Sequence, residues 1–258
     1  MFKPNFDEYT RRARYLPMLI VLMPCTLPAI VLVARFSTWV SALVGPLIAL
    51  GLPYWLAQTG RDRGKRKEAE LYALWGGKPS TVKLRHRDTT INDHTKARYH
   101  TTARALLPTV GFPSPAEETA DPVAADSAYE AFGDLLRERT RDSKKYRLVF
   151  EELMNYGFRR NLWGWKAAGI ALSTTVLVIL SGLLIWSARM WTVPAALLDG
   201  AVGVDVGILS FWLFCANPPW VKIAADAYAD RLLEASDNLA GGAHKQRTKA
   251  GGSIKATT

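Results

Sequence analysis

Four long apolar stretches, three of them without a charged residue, constrain the fold of this chain more than any other feature. A helix needs about 20 residues to cross the hydrocarbon core of a bilayer, and each stretch is long enough. Because a backbone in lipid must satisfy its own hydrogen bonds, helix is the spanning form expected here. The spacing predicts two hairpins of transmembrane helices. The four predicted spans are Leu16–Ala34, Phe36–Gln58, Ala167–Ala188 and Pro194–Ala216.

Basic residues predict the orientation of these spans. The two short hairpin turns contain only Arg35 and Arg189. The opposite flanks carry Lys3, Arg11, Arg12, Arg14, Arg61, Arg63, Lys65, Arg66, Lys67, Arg159, Arg160, Lys166, Lys222 and Arg231. Since Lys and Arg collect on the cytoplasmic side, both termini and the segment between the hairpins are expected in the cytoplasm. The Ala- and Arg-rich composition favours a bacterial inner (plasma) membrane, which the chain would cross several times.

The predicted fold class is therefore an all-α membrane protein, in which a mostly helical cytoplasmic domain joins two transmembrane helical hairpins. The expected domains follow from these boundaries. They are a cytoplasmic N-terminal segment (1–15), hairpin 1 (16–58), a cytoplasmic ligand-sensing domain (59–166), hairpin 2 (167–221) and a cytoplasmic, partly disordered tail (222–258).

Local patterns predict the elements of the cytoplasmic domain. Apolar spacing indicates helices over 65–75, 92–107 and 124–140, and a further helix from Ser143 that could continue into the third span. Gly76-Gly77 is expected to end the first of these helices. The basic segment 78–88 reads as a loop or short strand. The tail from Gly241 is poor in apolar residues, which predicts disorder.

The basic half of this domain offers a candidate ligand site. Residues 61–104 hold twelve Lys or Arg and five Asp or Glu. Clusters of this kind bind phosphate groups, with Arg supplying paired hydrogen bonds. The candidate phosphate or nucleic-acid ligands are Lys83, Arg85, Arg87, Lys96, Arg98 and Arg104. The alternative is a solvated basic face, or a set of salt bridges with the acidic segment 117–138 of the same domain.

The fourth span contains the other candidate site. Asp205 lies near its middle and Asp199 nearer its outer end, and a carboxylate in a bilayer is costly unless it is paired, protonated or hydrated. In an oligomer, copies of these residues could line a cation pathway. Gly203-x-x-x-Gly207 favours close helix packing beside Asp205. The alternative for Asp205 is a hydrogen bond to the third span, from a hydroxyl within residues 173–175.

Enzyme chemistry is not expected. The sequence contains no Gly-rich phosphate loop, no H-E-x-x-H motif and no nucleophile elbow. Its four histidines lack the partners at helical spacing that a metal site requires. We therefore predict no catalytic residues, no metal and no cofactor.

In plan, two membrane hairpins with a basic soluble domain between them, the chain resembles the four-span membrane effectors of bacterial anti-phage defence. These include effectors of cyclic-nucleotide signalling and the oligomeric effector of the Hailong system, which responds to a single-stranded DNA oligomer. The resemblance implies a pore or membrane-disrupting channel that is gated by a nucleotide or oligonucleotide bound to the basic domain.

The partners that this resemblance implies are the lipid bilayer, a nucleotide or single-stranded oligonucleotide, further copies of the chain, such as a tetramer, and a protein that generates the signal. The main alternative is a non-catalytic membrane anchor or scaffold for a cytoplasmic protein, docked on residues 124–158. A transporter would need oligomerisation to enclose a substrate path, and a membrane enzyme lacks a catalytic set.

Overall fold

The computed structural model describes residues 7–26, 51–190 and 195–253, and throughout this part of the chain the regular structure is helical, without a strand. Helix α1 begins with Glu8–Thr10, continues through a π-helical turn, Arg11–Tyr15, and extends over residues 16–26. The helices that follow are α2 (Leu52–Arg66), α3 (Glu68–Trp75), α4 (Pro79–Leu84), α5 (Asp93–Leu106), α6 (Pro115–Ala120), α7 (Pro122–Arg139), α8 (Arg147–Gly164), α9 (Lys166–Met190), α10 (Ala195–Ser210) and α11 (Pro218–Ser253). A second π-helical turn, Phe211–Cys215, follows α10.

The chain divides into two compact units. The hairpin unit comprises residues 1–69 and 154–221, and the middle unit comprises residues 70–153 and 222–258. The predicted tail therefore belongs with the predicted cytoplasmic domain, which the sequence pattern did not indicate.

Two helices of the hairpin unit are long and apolar enough to cross a membrane. Among the described residues these candidate spans are Lys166–Trp186 and Leu198–Cys215. They coincide with the predicted third and fourth spans, so the helical fold class is confirmed for the described chain. Of the first predicted hairpin, residues 16–26 and 52–58 are helical. The remainder, residues 27–50, lies outside the described residues, so the number of spans stays a prediction.

Close approach of α9 to the turn after α10 depends on a glycine. Trp212 is fully buried, and a methyl group added at Gly169 would lie 2.3 Å from its ring. Further along the pair, Val176 and Leu180 of α9 pack against Leu198 and Ala201 of α10. Helix α9 is separated from α8 by a turn at Trp165, where a single unbroken helix was one expectation.

A polar cluster, here called the junction cluster, joins three parts of the hairpin unit. Asn161 Nδ2 on α8 donates to the Ala13 carbonyl in the first π-helical turn at 2.7 Å. Arg160 donates to Glu68 at 2.8 Å, and the Tyr156 hydroxyl donates to the same carboxylate at 2.7 Å. Arg160 and Asn161 are both buried.

Gly64 on α2 completes the junction cluster by letting the helices touch. A methyl group added there would lie 2.6 Å from Asn161 Oδ1 and 3.0 Å from the Asn161 Cα. Gly164, further along α8, is equally close, because a methyl group added there would lie 2.7 Å from the Gly64 nitrogen. Small residues permit this backbone contact because they present no side chain at the crossing.

The core of the middle unit is aromatic and draws on both of its chain segments. Phe112 packs edge-on against Tyr129 at 5.2 Å between ring centroids and against Phe132 at 5.9 Å. Leu232 and Leu233 of α11 are fully buried in the same cluster. Helix α11 thus contributes to this core, because its apolar face needs a partner to leave water.

Some predicted elements are confirmed and others differ. Helix α5 matches its predicted range, with Asn92 capping it by accepting from the Thr95 amide at 2.9 Å. Gly76 and Gly77 end α3 with φ values of 77° and 140°, which favour glycine. The expected loop or strand at 78–88 instead contains α4, because Pro79 at the first position starts a helix. Helix α11 extends to Ser253, and the disorder expected of the tail from Gly241 stays a prediction.

Candidate functional site

Four of the six predicted phosphate ligands pair with carboxylates of the middle unit, three of them within residues 83–87. The Arg85 guanidinium contacts both oxygens of Asp126, at 2.8 and 2.7 Å, and also donates to the Gly76 carbonyl. Lys83 pairs with Asp230 at 2.5 Å, and Arg87 pairs with Glu118 at 3.5 Å. The salt-bridge alternative weighed from the sequence therefore describes these three side chains, although the acidic partners also come from α11.

The other three predicted ligands differ in exposure. Lys96 is buried, and its ammonium donates to the Asp88 carbonyl. Arg98 pairs with Asp237 at 3.1 Å on the surface. Arg104 is exposed, and no ion pair is found for it among the described residues. The six residues therefore do not line a single open phosphate-binding site.

Glu118 organises the interior next to this basic set. It is buried, accepts the Tyr129 hydroxyl at 2.6 Å and accepts the His86 amide at 2.7 Å. Burial pushes the pKa of Glu118 up, but these hydrogen bonds and the charge of Arg87 bring it below its usual value. Burial next to Glu118 raises the pKa of Tyr129. This is a satisfied structural network rather than a reactive pair.

His100 is a second buried titratable group in the same interior. Its Nε2 lies 2.8 Å from the Leu84 carbonyl, and its ring packs against His86 and Phe112. Burial lowers the pKa of His100 to about 4, so the neutral ring is the stable form at neutral pH. In the described part of the chain, no three His, Cys, Asp or Glu side chains gather as a metal site would require.

Asp205, predicted to line a pore, is fully buried inside the hairpin unit. Ser173 on α9 faces it and is also fully buried. Ser173 is thus the hydroxyl placed to donate to Asp205, as one alternative from the sequence expects, and the described residues show no other hydrogen-bond partner for either side chain. A buried carboxylate without donors is costly in any apolar interior.

Asp199 and the glycines of α10 lie on the same helix as Asp205 but do not share its buried position. Asp199 is exposed, whereas Asp205, one and a half turns away, is not. Within the described residues, a methyl group added at Gly203 or Gly207 meets no atom within 4 Å. These glycines therefore leave a smooth strip of α10 beside the buried carboxylate.

Cationic side chains stack on tryptophans at one end of the hairpin unit. Arg63 lies 4.5 Å from the ring centroid of Trp165, and Lys67 lies 4.5 Å from that of Trp163. Arg159 lies 4.9 Å from the Trp220 ring and donates to the Trp220 carbonyl at 2.8 Å. Cation–π contacts of this type add to packing, and Trp with Lys or Arg is the composition of a membrane–water interface.

Two features were missed by sequence reasoning. The junction cluster lies in the stretch from Asn155 to Asn161, whose run of Asn, Tyr and paired Arg could have marked a polar network. The segment 139–147 is a basic run between two helices, which the helix assignments on either side obscured. Comparison with family models, curated proteins and solved structures finds no match to this chain.

Proposed function

We propose that the chain is a membrane effector, an oligomer that forms an ion-conducting pore gated by a nucleotide or oligonucleotide on its middle unit. Depolarising the inner membrane in this way would serve bacterial anti-phage defence. The observation that carries the proposal is Asp205, a carboxylate fully buried beside Ser173 between two helices of membrane-spanning length.

A carboxylate inside a membrane hairpin is retained when function requires it. Asp205 and Ser173 are two buried polar side chains that face each other between α9 and α10. Entry of water or a cation between α9 and α10 would satisfy both. We therefore assign the described arrangement to a closed state, in which Asp205 is sealed, and opening to the hydration of this pair.

Support for four spans comes from the junction cluster. The predicted cytoplasmic ends of the first three spans meet there, because Asn161 contacts both Ala13 and Gly64. The predicted end of the fourth span meets the third through Arg159 and Trp220. An up-down-up-down chain must bring these four ends to the same side, so the contacts fit two complete hairpins.

Support for an oligomer comes from the glycine strip of α10. Small residues let transmembrane helices approach closely, and Gly203 and Gly207 have open space beside them. Replacing Gly203 with Leu should therefore lower the oligomeric state in native mass spectrometry of the detergent-purified protein. An unchanged oligomer would place the contact between copies elsewhere. The same spectra would report a co-purifying nucleotide or oligonucleotide.

The pore is tested by ion flux from proteoliposomes. Asp205→Asn keeps the side-chain shape and removes the charge, so cation flux should fall while the oligomer persists. Asp199→Asn, an equal charge change at an exposed position of the same helix, is the matched control and should alter flux less. Equal flux from Asp205→Asn and the unmodified chain would remove Asp205 from the conduction path.

The second candidate is a membrane anchor for a cytoplasmic protein. One observation favours it, namely that Val123 and Leu148 of the middle unit are exposed apolar side chains. Against it, the acidic face of α7 is occupied within the chain, as Asp126 holds Arg85 and Glu130 holds Lys78. Expression of the chain alone supports the pore if the membrane depolarises, whereas silence fits a scaffold or a pore held closed.

A further inference from the structure

We propose that the middle unit binds a phosphate group of a nucleotide or oligonucleotide in a cavity between the first turn of α8 and α11. The cavity has a volume of about 230 Å³, and its lining includes Lys145, Tyr146, Arg147, Arg231 and Glu234. This inference rests on the proposed ligand-gated function and places the ligand away from the six basic residues selected by the sequence pattern.

The surroundings of the cavity are strongly basic. Residues 139–147 contain five Lys or Arg and one acidic residue, Asp142. The Asp142 carboxylate is already used, as it accepts the amides of Lys144 and Lys145 at 2.9 and 3.2 Å. Arg139, Arg141 and Lys144 are exposed and form no ion pair with any described residue. Positive charge here is therefore not neutralised, unlike that of Lys83, Arg85 and Arg87.

The cations of the cavity itself are held by weak pairs. Arg147 contacts Glu151 at 2.8 Å and Arg231 contacts Glu234 at 2.7 Å, each within one turn of its own helix and each largely exposed. Exposed pairs of this kind contribute little, so a phosphate can compete for both guanidinium groups. Lys145, Arg147 and Arg231 lie close to three carboxylates, those of Glu234, Glu151 and Glu152. The excess of positive charge therefore comes from the adjoining segment 139–144, which holds three Lys or Arg and one Asp.

Tyr146 supplies an observation independent of charge. The residue is 6% exposed, and its hydroxyl is buried without a hydrogen-bond partner. Its ring lies 5.2 Å from the Lys145 ammonium. A phosphate that draws Lys145 toward itself would uncover this hydroxyl and give it an acceptor. An unused donor next to a basic cavity is expected where a ligand completes the hydrogen bonding.

Position and size define the class of ligand. The first turn of a helix of 18 residues adds the positive end of its dipole, which favours a phosphate. A volume of about 230 Å³ is smaller than a complete small-molecule site, which is typically 300–1,000 Å³. The cavity thus accommodates one phosphate with part of its sugar, and further phosphates would follow the exposed basic segment 139–144.

The test uses the full chain in phosphatidylcholine nanodiscs. Fluorescence anisotropy follows a fluorescein-labelled tetrathymidylate, with inorganic pyrophosphate as competitor. Arg231→Gln should weaken binding about tenfold or more, since it removes a charge-assisted contact. Arg104→Gln, an equal charge change at an exposed residue of the originally predicted set, is the matched control and should leave the affinity within about twofold.

Tyr146→Phe separates ligand contact from folding. It removes an unsatisfied buried hydroxyl, so the ligand-free protein should unfold at the same or a higher temperature while tetrathymidylate binds more weakly. The proposal is overturned if neither probe binds, or if Arg231→Gln and Tyr146→Phe bind like the unmodified chain. Displacement of the probe by phosphatidylglycerol in the disc would assign the cavity to a lipid headgroup and overturn the soluble ligand.

Ion flux measured on the same preparations keeps this inference apart from the pore. Ion flux without binding of either probe would refute the phosphate site in the cavity and leave the proposed pore standing. Probe binding that depends on Arg231, with no ion flux in the presence or absence of ligand, would refute the proposed pore and leave the phosphate site standing.

Discussion

Replacing Arg160 with Met should destabilise the hairpin unit far more than breaking a similar ion pair at the surface. Arg160 is buried and contacts Glu68 at 2.8 Å. It also donates to Asn161 Oδ1 at 3.3 and 3.2 Å, and its guanidinium lies 5.5 Å from the Tyr156 ring centroid. Met keeps an unbranched apolar side chain, shorter than that of Arg, and removes every one of these polar contacts.

The expected cost is about 3–5 kcal/mol, because removing one partner of a buried pair leaves the other charge uncompensated. Glu68 would keep only the Tyr156 hydroxyl among the contacts described above. Arg231→Gln provides the comparison, since Arg231 and Glu234 are 2.7 Å apart with side chains 45% and 52% exposed. That exposed pair should contribute little to stability. The N···O distances of the Arg160–Glu68 and Arg231–Glu234 pairs are nearly equal, so the comparison isolates the effect of burying the arginine.

The assay is thermal or denaturant unfolding in detergent, followed by tryptophan fluorescence, since Trp163 and Trp165 lie next to the junction cluster. Adding Glu68→Met to Arg160→Met should recover part of the loss, because the double variant no longer holds the Glu68 carboxylate without the Arg160 cation beside it. If Arg160→Met costs no more than Arg231→Gln, burial is not what makes this pair strong and the reasoning fails.

Two more predictions concern the described interior. Burial lowers the pKa of His100 to about 4 from an ordinary 6.5. Between these pH values the unfolded chain binds a proton that the folded chain does not, so stability should fall as the pH drops from 6.5 to 4. His100→Gln should flatten this fall in melting temperature, whereas His94→Gln, at an exposed position, should not. Gly64→Ala should cost about 1–3 kcal/mol through its clash with Asn161, while Gly111→Ala, where nothing lies within 4 Å, should leave the melting temperature nearly unchanged.

Local chemistry made much of the helical fold predictable. The Asn92 cap, the Gly76-Gly77 stop and the apolar periods act over a few residues, so a sequence window contains the whole signal. The prediction of a loop or strand for 78–88 was wrong because Val82 and Leu84 alternate over too few positions to distinguish a strand from a helix. Prolines gave a better signal, as Pro79 does begin a helix.

The candidate sites were harder to predict because their partners are distant in sequence. Lys83 pairs with Asp230 and Arg98 pairs with Asp237. No local sequence pattern identifies which basic residues will form such distant ion pairs. Charge counts along the chain therefore selected Lys83, Arg85 and Arg87, whose charges are compensated in three dimensions. The uncompensated run at 139–147 carries a similar local signal, and only the pairing distinguishes the two.

The π-helical turn at Arg11–Tyr15 has a consequence for the evolution and engineering of this chain. A π-helical turn holds one residue more than the α-helical turn it replaces, and here its Ala13 carbonyl is the acceptor for Asn161. Deleting one residue between 11 and 15 would restore a regular helix, yet rotate everything before it by roughly 100° about the helix axis. Natural relatives should therefore vary in residue type across this turn but keep its length, and a fused tag is best joined before Asp7.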